Sequence, residues 1–245
     1  PFTWALRDRE RILDLFEMLC GARLLYNYIW PGGLSHDLPP NFIQYTNEFL
    51  DYFEPMLKEF DNVLTENMIF VERTADVGII TPEVGINFGV TGPTLRGSGI
   101  SHDLRKDEPY SVYDKFDFDV PVGKGIMGTV GDCWDRYWVR LREIEESVKI
   151  LRQAIAQLPE GDVHAARPKK VRPGKGEVYS RYESARGDVG FYIISDGKNI
   201  PYRLKMRSPA FCNLSVFSEI SEGWMMSDVI TILGSLDIVL GEIDR

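Results

Sequence analysis

Residues 129–161 read TVGDCWDRYWVRLREIEESVKILRQAIAQLPEG, and their periodicity decides the fold class. Val130, Trp134, Tyr137, Leu141, Ile144, Val148, Leu151, Ile155 and Leu158 recur at alternating spacings of four and three, which is one face of a helix and not the two-residue alternation of a strand. The pattern predicts a single helix over 129–158, about 45 Å long at the usual rise per residue, with Thr129 as N-cap and Pro159-Glu160-Gly161 as its stop. Further helical stripes lie upstream. Phe42, Thr46, Phe49, Phe53, Leu57, Phe60 and Leu64 repeat the spacing across Pro55, which removes one backbone donor and should kink the helix. Another helix is predicted from Leu6 to about Ile29, with Ile12, Phe16, Leu19 and Cys20 on one face and Pro31-Gly32-Gly33 as its end. Thr81-Pro82-Glu83 reads as the cap and first two positions of a short helix. Residues 222–236 are apolar on nearly every side, as expected of a helix buried within something larger.

After the long helix the pattern changes. Val189–Ile194 is a continuous apolar run, and Ile200, Tyr202, Leu204 and Met206 alternate with Pro201, Arg203 and Lys205, the two runs being joined across Asp196-Gly197. This predicts a hairpin, with Glu177–Glu183 as a third strand. The resulting fold class is mainly α with a small antiparallel β-sheet (α+β). One domain is expected, with a helical bundle core over 1–158, a basic loop over 159–176, the sheet over 177–207, and C-terminal helices and a tail over 208–245 packing back on the bundle.

The 245 residues are 44% apolar and 27% charged, which excludes disorder. Lys and Arg number 28 against 37 Asp and Glu, for a net charge of −9, so bulk charge does not draw the chain to nucleic acid or anionic lipid. No apolar run reaches the ~20 residues of a spanning helix. Cys20, Cys133 and Cys212 are isolated from one another, so neither a disulfide framework nor a self-contained zinc or iron–sulfur site is readable. The chain opens Pro1-Phe2-Thr3-Trp4 without an initiator Met, as a fragment would.

Several motifs carry polar chemistry. Gly123-Lys124-Gly125-Ile126-Met127-Gly128 follows a plausible strand at Phe116–Val122 and precedes a helix, as a dinucleotide fingerprint does. No second parallel strand follows, however, and the position about 20 residues on falls in the long helix, where Glu143, Glu145 and Glu146 read as a solvated face. Asp132 and Asp135 stand in the first turns of that helix, where capping alone favours carboxylates. Arg96-Gly97-Ser98-Gly99 through Asp103-Leu104-Arg105-Lys106 offers either a partner surface or a brace between helices, bracing being favoured. Pro31-Gly32-Gly33-Leu34-Ser35-His36-Asp37 puts a His and an Asp on a tight loop, either to orient or protonate a ligand or to form an Asx-type turn. Glu242, after an apolar helix, must be exposed, salt-bridged to an Arg, or functional.

Taken together, Tyr28-Ile29-Trp30-Pro31-Gly32-Gly33…Asp37-Leu38-Pro39, Leu95–Ile100 with Asp103–Lys106, Gly131–Tyr137 and Asp237-Ile238-Val239-Leu240-Gly241-Glu242-Ile243-Asp244-Arg245 closely resemble the D-type subunit of the respiratory NADH:quinone oxidoreductase, complex I. The resemblance runs over essentially the whole chain in order. It implies a helical bundle like that of the nickel–iron hydrogenase large subunit, from which the family descends, and a place on the wall of the quinone cavity. Hydrogenases end in Asp-Pro-Cys-x-x-Cys-x-x-His. Laid on this tail, Asp237 keeps the Asp, Val239 and Glu242 stand for the two thiolates, and Arg245 stands for the His, a set unable to hold a soft metal. Asp37 matches the family's loop Asp, which pairs with a His from an N-terminal hairpin beside the quinone head group.

The resemblance further implies Val239, Glu242, Gly33 and Ile29 at the quinone cavity. It implies structural or interface roles for Arg96, Asp103, Arg105, Asp132, Asp135, Arg136, Asp237 and Arg245. The chain would bind no metal or cofactor, quinone being substrate, with the [4Fe–4S] cluster, FMN and NADH in other subunits. Its partners within complex I would be the B-type subunit, which carries the terminal cluster, the C-type and I-type subunits, and the H-type membrane subunit, with no nucleic acid and no transmembrane segment of its own. It would lie peripherally on the cytoplasmic side of the cell membrane. Two departures stand out: the His and Tyr that hold the quinone head group lie in a region absent here, and Asn67 occupies a place where some members carry a His. The alternative readings are a helical scaffold that docks neighbours and, less favoured, a surviving hydrogenase.

Overall fold

The structure, a computed structural model, describes residues 2–166 and 171–244. In chain order the elements are α1 (Phe2–Cys20), β1 (Ile29–Trp30), β2 (Gly33–Leu34), α2 (Phe42–Leu64), α3 (Met68–Thr74), α4 (Pro82–Asn87), α5 (Gly92–Gly97), α6 (Leu104–Asp107), α7 (Cys133–Ala156), β3 (Gly176–Ser184), β4 (Gly187–Ser195), β5 (Arg203–Arg207), α8 (Pro209–Ser215), α9 (Phe217–Ser221), α10 (Met226–Leu236) and α11 (Leu240–Ile243). Helices with two small antiparallel sheets make it an α+β fold. The chain divides into two compact units, Pro1–Leu64 with Val148–Val171, and Thr65–Ser147 with Arg172–Arg245. Of the basic loop, Arg167, Lys169 and Lys170 lie outside the described residues, as does Arg245.

In the smaller unit, α1 packs along α2. Asp8, buried on α1, is held by Arg7 Nε at 2.9 Å and by the Tyr52 hydroxyl of α2 at 2.9 Å. The helix predicted to reach Ile29 stops at Cys20. Gly21 takes φ +73° and returns its N–H to Glu17 O at 2.8 Å, a glycine C-cap that ends α1 before the Pro-Gly-Gly signal is reached. Ile29–Leu34, read as helix end, is instead a short hairpin pairing Ile29 with Leu34 and Trp30 with Gly33. Helix α2 has the predicted bounds and contains Pro55, and it buries Thr46, Leu50 and Leu57. The last turns of α7 join this unit, where Arg152 binds Asp51 at 2.5 Å and Glu54 at 3.2 Å.

In the larger unit the core gathers Val77, Ile80, Val90, Leu95, Cys133, Val216, Ile220, Ile232 and Leu236. Helix α7 begins at Cys133, not at 129. Asp132 is its cap, with Oδ1 accepting from Asp135 N at 2.8 Å, while the Thr129 hydroxyl is spent on Asp76. Residues 116–122 form no strand; Phe118 is buried under Lys106, and Asp119 N is taken by Glu146. The Gly-rich run after them packs instead of cradling a phosphate. A Cβ on Gly123 would fall 1.9 Å from Gly97 O, and Gly125 N donates to Asp135. Glu143 and Glu146 of α7, read as a solvated face, turn inward, Glu146 being buried.

The predicted three-stranded sheet is present in the order β3-β4-β5, with Gly176 opposite Ser195, Ser184 opposite Gly187 and Gly190 opposite Arg207. Helix α10 is less enclosed than its composition suggests. Asp228, Ile232 and Leu236 face inward, while Met226 and Ile230 are 82% and 73% exposed. The i, i+4, i+8 face accepts an Asp because Arg73 reaches it at 2.6 Å.

Candidate functional site

Two places bring the motif residues together, one in each unit. In the smaller unit the hairpin and the loop after it carry Ile29, Gly33, His36 and Asp37. Beyond the paired rungs, Ser35 N donates to Tyr28 O at 2.9 Å. The hairpin turn is anchored by Leu34 N to Val163 O and Ala165 N to Gly32 O, both 2.9 Å, with a bridge between Gly33 and His164. Gly33 is half-buried and Ile29 is exposed. His36 is tied at both ring nitrogens, Nδ1 to Ser35 Oγ at 2.8 Å and Nε2 to Leu19 O at 2.7 Å. Asp37 is exposed, and its Oδ1 accepts from Leu38 N at 2.7 Å. It is a carboxylate held by its own backbone turn and presented outward.

In the larger unit, α10 ends at Asp237, a left-handed C-cap with φ +53°. Its carboxylate meets Arg186 Nη2 at 3.1 Å and Arg140 Nε at 3.6 Å. Val239 precedes α11 and is half-buried. Glu242 solves its burial in a way neither exposure nor an Arg partner describes: Oε2 accepts from Ser208 Oγ at 2.9 Å and Ala210 N at 3.2 Å, closing the start of α8. With Tyr179, Tyr182, Phe191, Phe211 and Ile243 it lines an open cavity of about 720 Å³. Val239 and a carboxylate already engaged by Ser208 do not fit a soft-metal site.

The remaining motif residues form a buried charge frame in the larger unit. Arg96 is 1% exposed and reaches Glu143 at 2.6 Å, Glu183 at 2.9 Å and Asp103 at 3.6 Å, and it donates to His102 O at 2.8 Å. Arg105 closes on Asp103 through Nε and Nη2, the latter at 2.6 Å. Burial pulls the Asp103 carboxyl upward, but the hydrogen bond from Arg105 and the charges of Arg96 and Arg105 outweigh it and hold the group below its ordinary range. For Glu183 burial wins over Arg96, and its pKa is raised.

Arg136 is fully enclosed, donating to Gly131 O, Gly78 O, Ser235 Oγ and Cys133 Sγ, and burial lowers its pKa. Arg140 is likewise lowered by burial, to about 10, against the pull of Asp237. Asp132 is buried and raised, although Asp135 N and Asp76 N both donate to it. Asp135 Oδ2 takes Gly125 N. Glu183, Arg140 and Arg186 complete this frame without having been singled out in the sequence, together with Glu143, whose sequence context reads as a solvated face. Arg140, Glu143 and Ser147 do share one α7 face at helical spacing, a stripe invisible to a search for apolar residues alone. Asn67 caps α3, its side-chain oxygen accepting from Ile69 N and Phe70 N.

Comparison with known proteins agrees with the motifs. A family model described as "Respiratory-chain NADH dehydrogenase, 49 Kd subunit" matches residues 1–175 and 169–245. Proteins named as the D subunit of NADH-quinone oxidoreductase from Chlorobium luteolum and Chlorobaculum tepidum are 53% and 52% identical over all of this chain, which covers 63% and 62% of their length. One of the same name, numbered 1, from Cytophaga hutchinsonii is 49% identical, with 64% of its length covered. The chain thus spans a little under two thirds of these relatives. It belongs to the family of the 49 kDa subunit of the respiratory-chain NADH dehydrogenase.

Proposed function

We propose that this chain contributes a wall of the quinone cavity in an ion-pumping NADH:quinone oxidoreductase, beside the terminal [4Fe–4S] cluster of the B-type subunit. The observation that carries the reading is the fate of the motif carboxylates. Asp103, Asp132 and Asp135 are buried and bound within the chain, and Asp237 is paired with two arginines. Asp37 is exposed, and the hydrogen bond its carboxylate accepts comes from the backbone N–H of the next residue; among the described residues it has no arginine beside it as Asp237 has.

Reducing a quinone consumes two electrons and two protons. The electrons come from the cluster of the B-type subunit. Asp37, paired with a His from outside this chain, holds and delivers a proton at the head group. Ile29 and Gly33 are the cavity residues assigned to the smaller unit and Val239 and Glu242 those assigned to the larger, where Arg96, Asp103, Arg105, Asp132, Asp135, Arg136 and Asp237 keep the frame rigid. The cluster-bearing B-type, the C-type and I-type, and the membrane H-type subunits are the proposed neighbours, with the chain peripheral on the cytoplasmic side of the membrane. None of the described helices is long and apolar enough to cross a membrane.

The experiment is Asp37→Asn in the intact complex. Quinone reduction falls by at least about tenfold, the lower range for losing an acid–base group, while the complex stays assembled. Disassembly with unchanged specific activity would instead mark the loop as scaffold.

A further inference from the structure

The phenolic oxygen of Tyr28 is buried and has no hydrogen-bond partner among the described residues. Burying a hydroxyl without a partner costs free energy, and folded proteins rarely leave one so. Its place is specific. The rung formed by Ser35 N and Tyr28 O sets Tyr28 opposite the start of the Asp37 loop, and its ring stands edge-on to His36 at 5.2 Å between centroids. Among the described residues, the charged and titratable groups around the phenol are Asp37, Cys20 at the end of α1, and His36. Burial first, then the charge of Asp37, then Cys20, push the phenol's pKa up, so it stays a neutral donor near an anion. His36 cannot serve that anion, because both of its ring nitrogens are engaged by Ser35 and Leu19.

We propose that Tyr28 is a positioning residue for Asp37, donating its unused O–H to the Asp37 carboxylate in the assembled quinone site and so fixing the oxygen that delivers the proton. This rests on the reading of Asp37 given above. A purely structural Tyr28 would need only its ring against His36, which Phe supplies equally well.

A double-mutant cycle in the intact complex tests the coupling. Tyr28→Phe is expected to lower kcat for quinone reduction by at least about fivefold, with KM for quinone within about twofold and assembly unchanged, since the substitution removes no hydrogen bond now made. Added to Asp37→Asn, the same change costs less than about twofold, because its target is gone. Tyr28→Phe at wild-type turnover, with Asp37→Asn impaired, overturns the inference and leaves the Asp37 reading standing. Equal losses with and without Asp37, or loss of assembly in Tyr28→Phe, overturn it as well. Full turnover in Asp37→Asn overturns the site reading itself, and Tyr28 then has no carboxylate to act through.

Discussion

Replacing Arg96 by Leu tests whether the buried charge frame is a structural necessity. The guanidinium is 1% exposed and faces Glu143, Glu183 and Asp103, whose side chains are 16%, 3% and 1% exposed. The substitution would strand three carboxylates around one apolar side chain; Asp103 keeps its direct ion pair with Arg105, while Glu143 and Glu183 keep the longer-range charge of Arg105. Breaking a buried ion pair from one side costs about 3–5 kcal/mol, a large share of the roughly 5–15 kcal/mol that holds a domain together.

The pH dependence has a definite sign. Glu183 already sits above its ordinary pKa because of burial, so its protonated form is favoured by folding. The stability that form contributes is full below the unfolded pKa and is lost as pH rises through the folded one. Without Arg96 the shift grows, and neutralising Glu183 removes one of the stranded charges. The penalty should therefore shrink as pH falls from neutrality toward the ordinary carboxylate range. Asp103, whose pKa is lowered, loses its contribution only as pH falls below the ordinary carboxylate range, outside this window. Urea unfolding followed by the fluorescence of Trp134, buried at the start of α7 with Nε1 on Thr65 O at 3.1 Å, measures both quantities. A loss under about 1 kcal/mol, or a penalty that grows on acidification, would refute the assignment of Arg96 as the charge holding this frame together.

Two further substitutions probe how α7 is seated. Gly131 has φ +92°, and a Cβ there would stand 2.2 Å from Ile80 O, across the bond from Ile80 N to Gly131 O; Gly131→Ala should cost at least about 3 kcal/mol, seen as a collapse of soluble yield or of thermal stability. Asp132→Ala removes the cap of α7 and the acceptor for Asp76 N, for about 2 kcal/mol and a fall in Tm of roughly 4–8 °C. Asp132→Asn, which keeps a side-chain oxygen, should recover part of that fall, and a variant as impaired as Ala would argue against the cap.

The long elements were legible because their periodicity survives any neighbour. Helix α2 spans Phe42–Leu64 and the sheet falls at 176–207 as the apolar spacing requires, and Thr81-Pro82-Glu83 caps and opens α4 through Thr81 Oγ1 and Val84 N. The end of α1 was missed because two glycine signals competed and the earlier one, Gly21, closed the helix first. Strands two residues long, such as β1 and β2, carry no period at all. The carboxylates are the harder case. Asp37, Asp103, Asp132, Asp228 and Asp237 differ little in their local sequence, each beside a loop or a helix end. For Asp132, Asp228 and Asp237 the difference is that a donor distant in sequence reaches in, whereas Asp103 is held by Arg105 and Arg96, two and seven residues away. Asp76 N comes to Asp132 from 56 residues away, Arg186 to Asp237 from 51, and Arg73 to Asp228 from 155, while Asp37 is bound by the amide of the next residue. Polarity patterns assign charges on a helix face to solvent unless told otherwise, so they placed Glu143 and Glu146 outside. Only the fold distinguishes carboxylates that packing consumes, such as Asp103 and Asp132, from those it leaves exposed, such as Asp37.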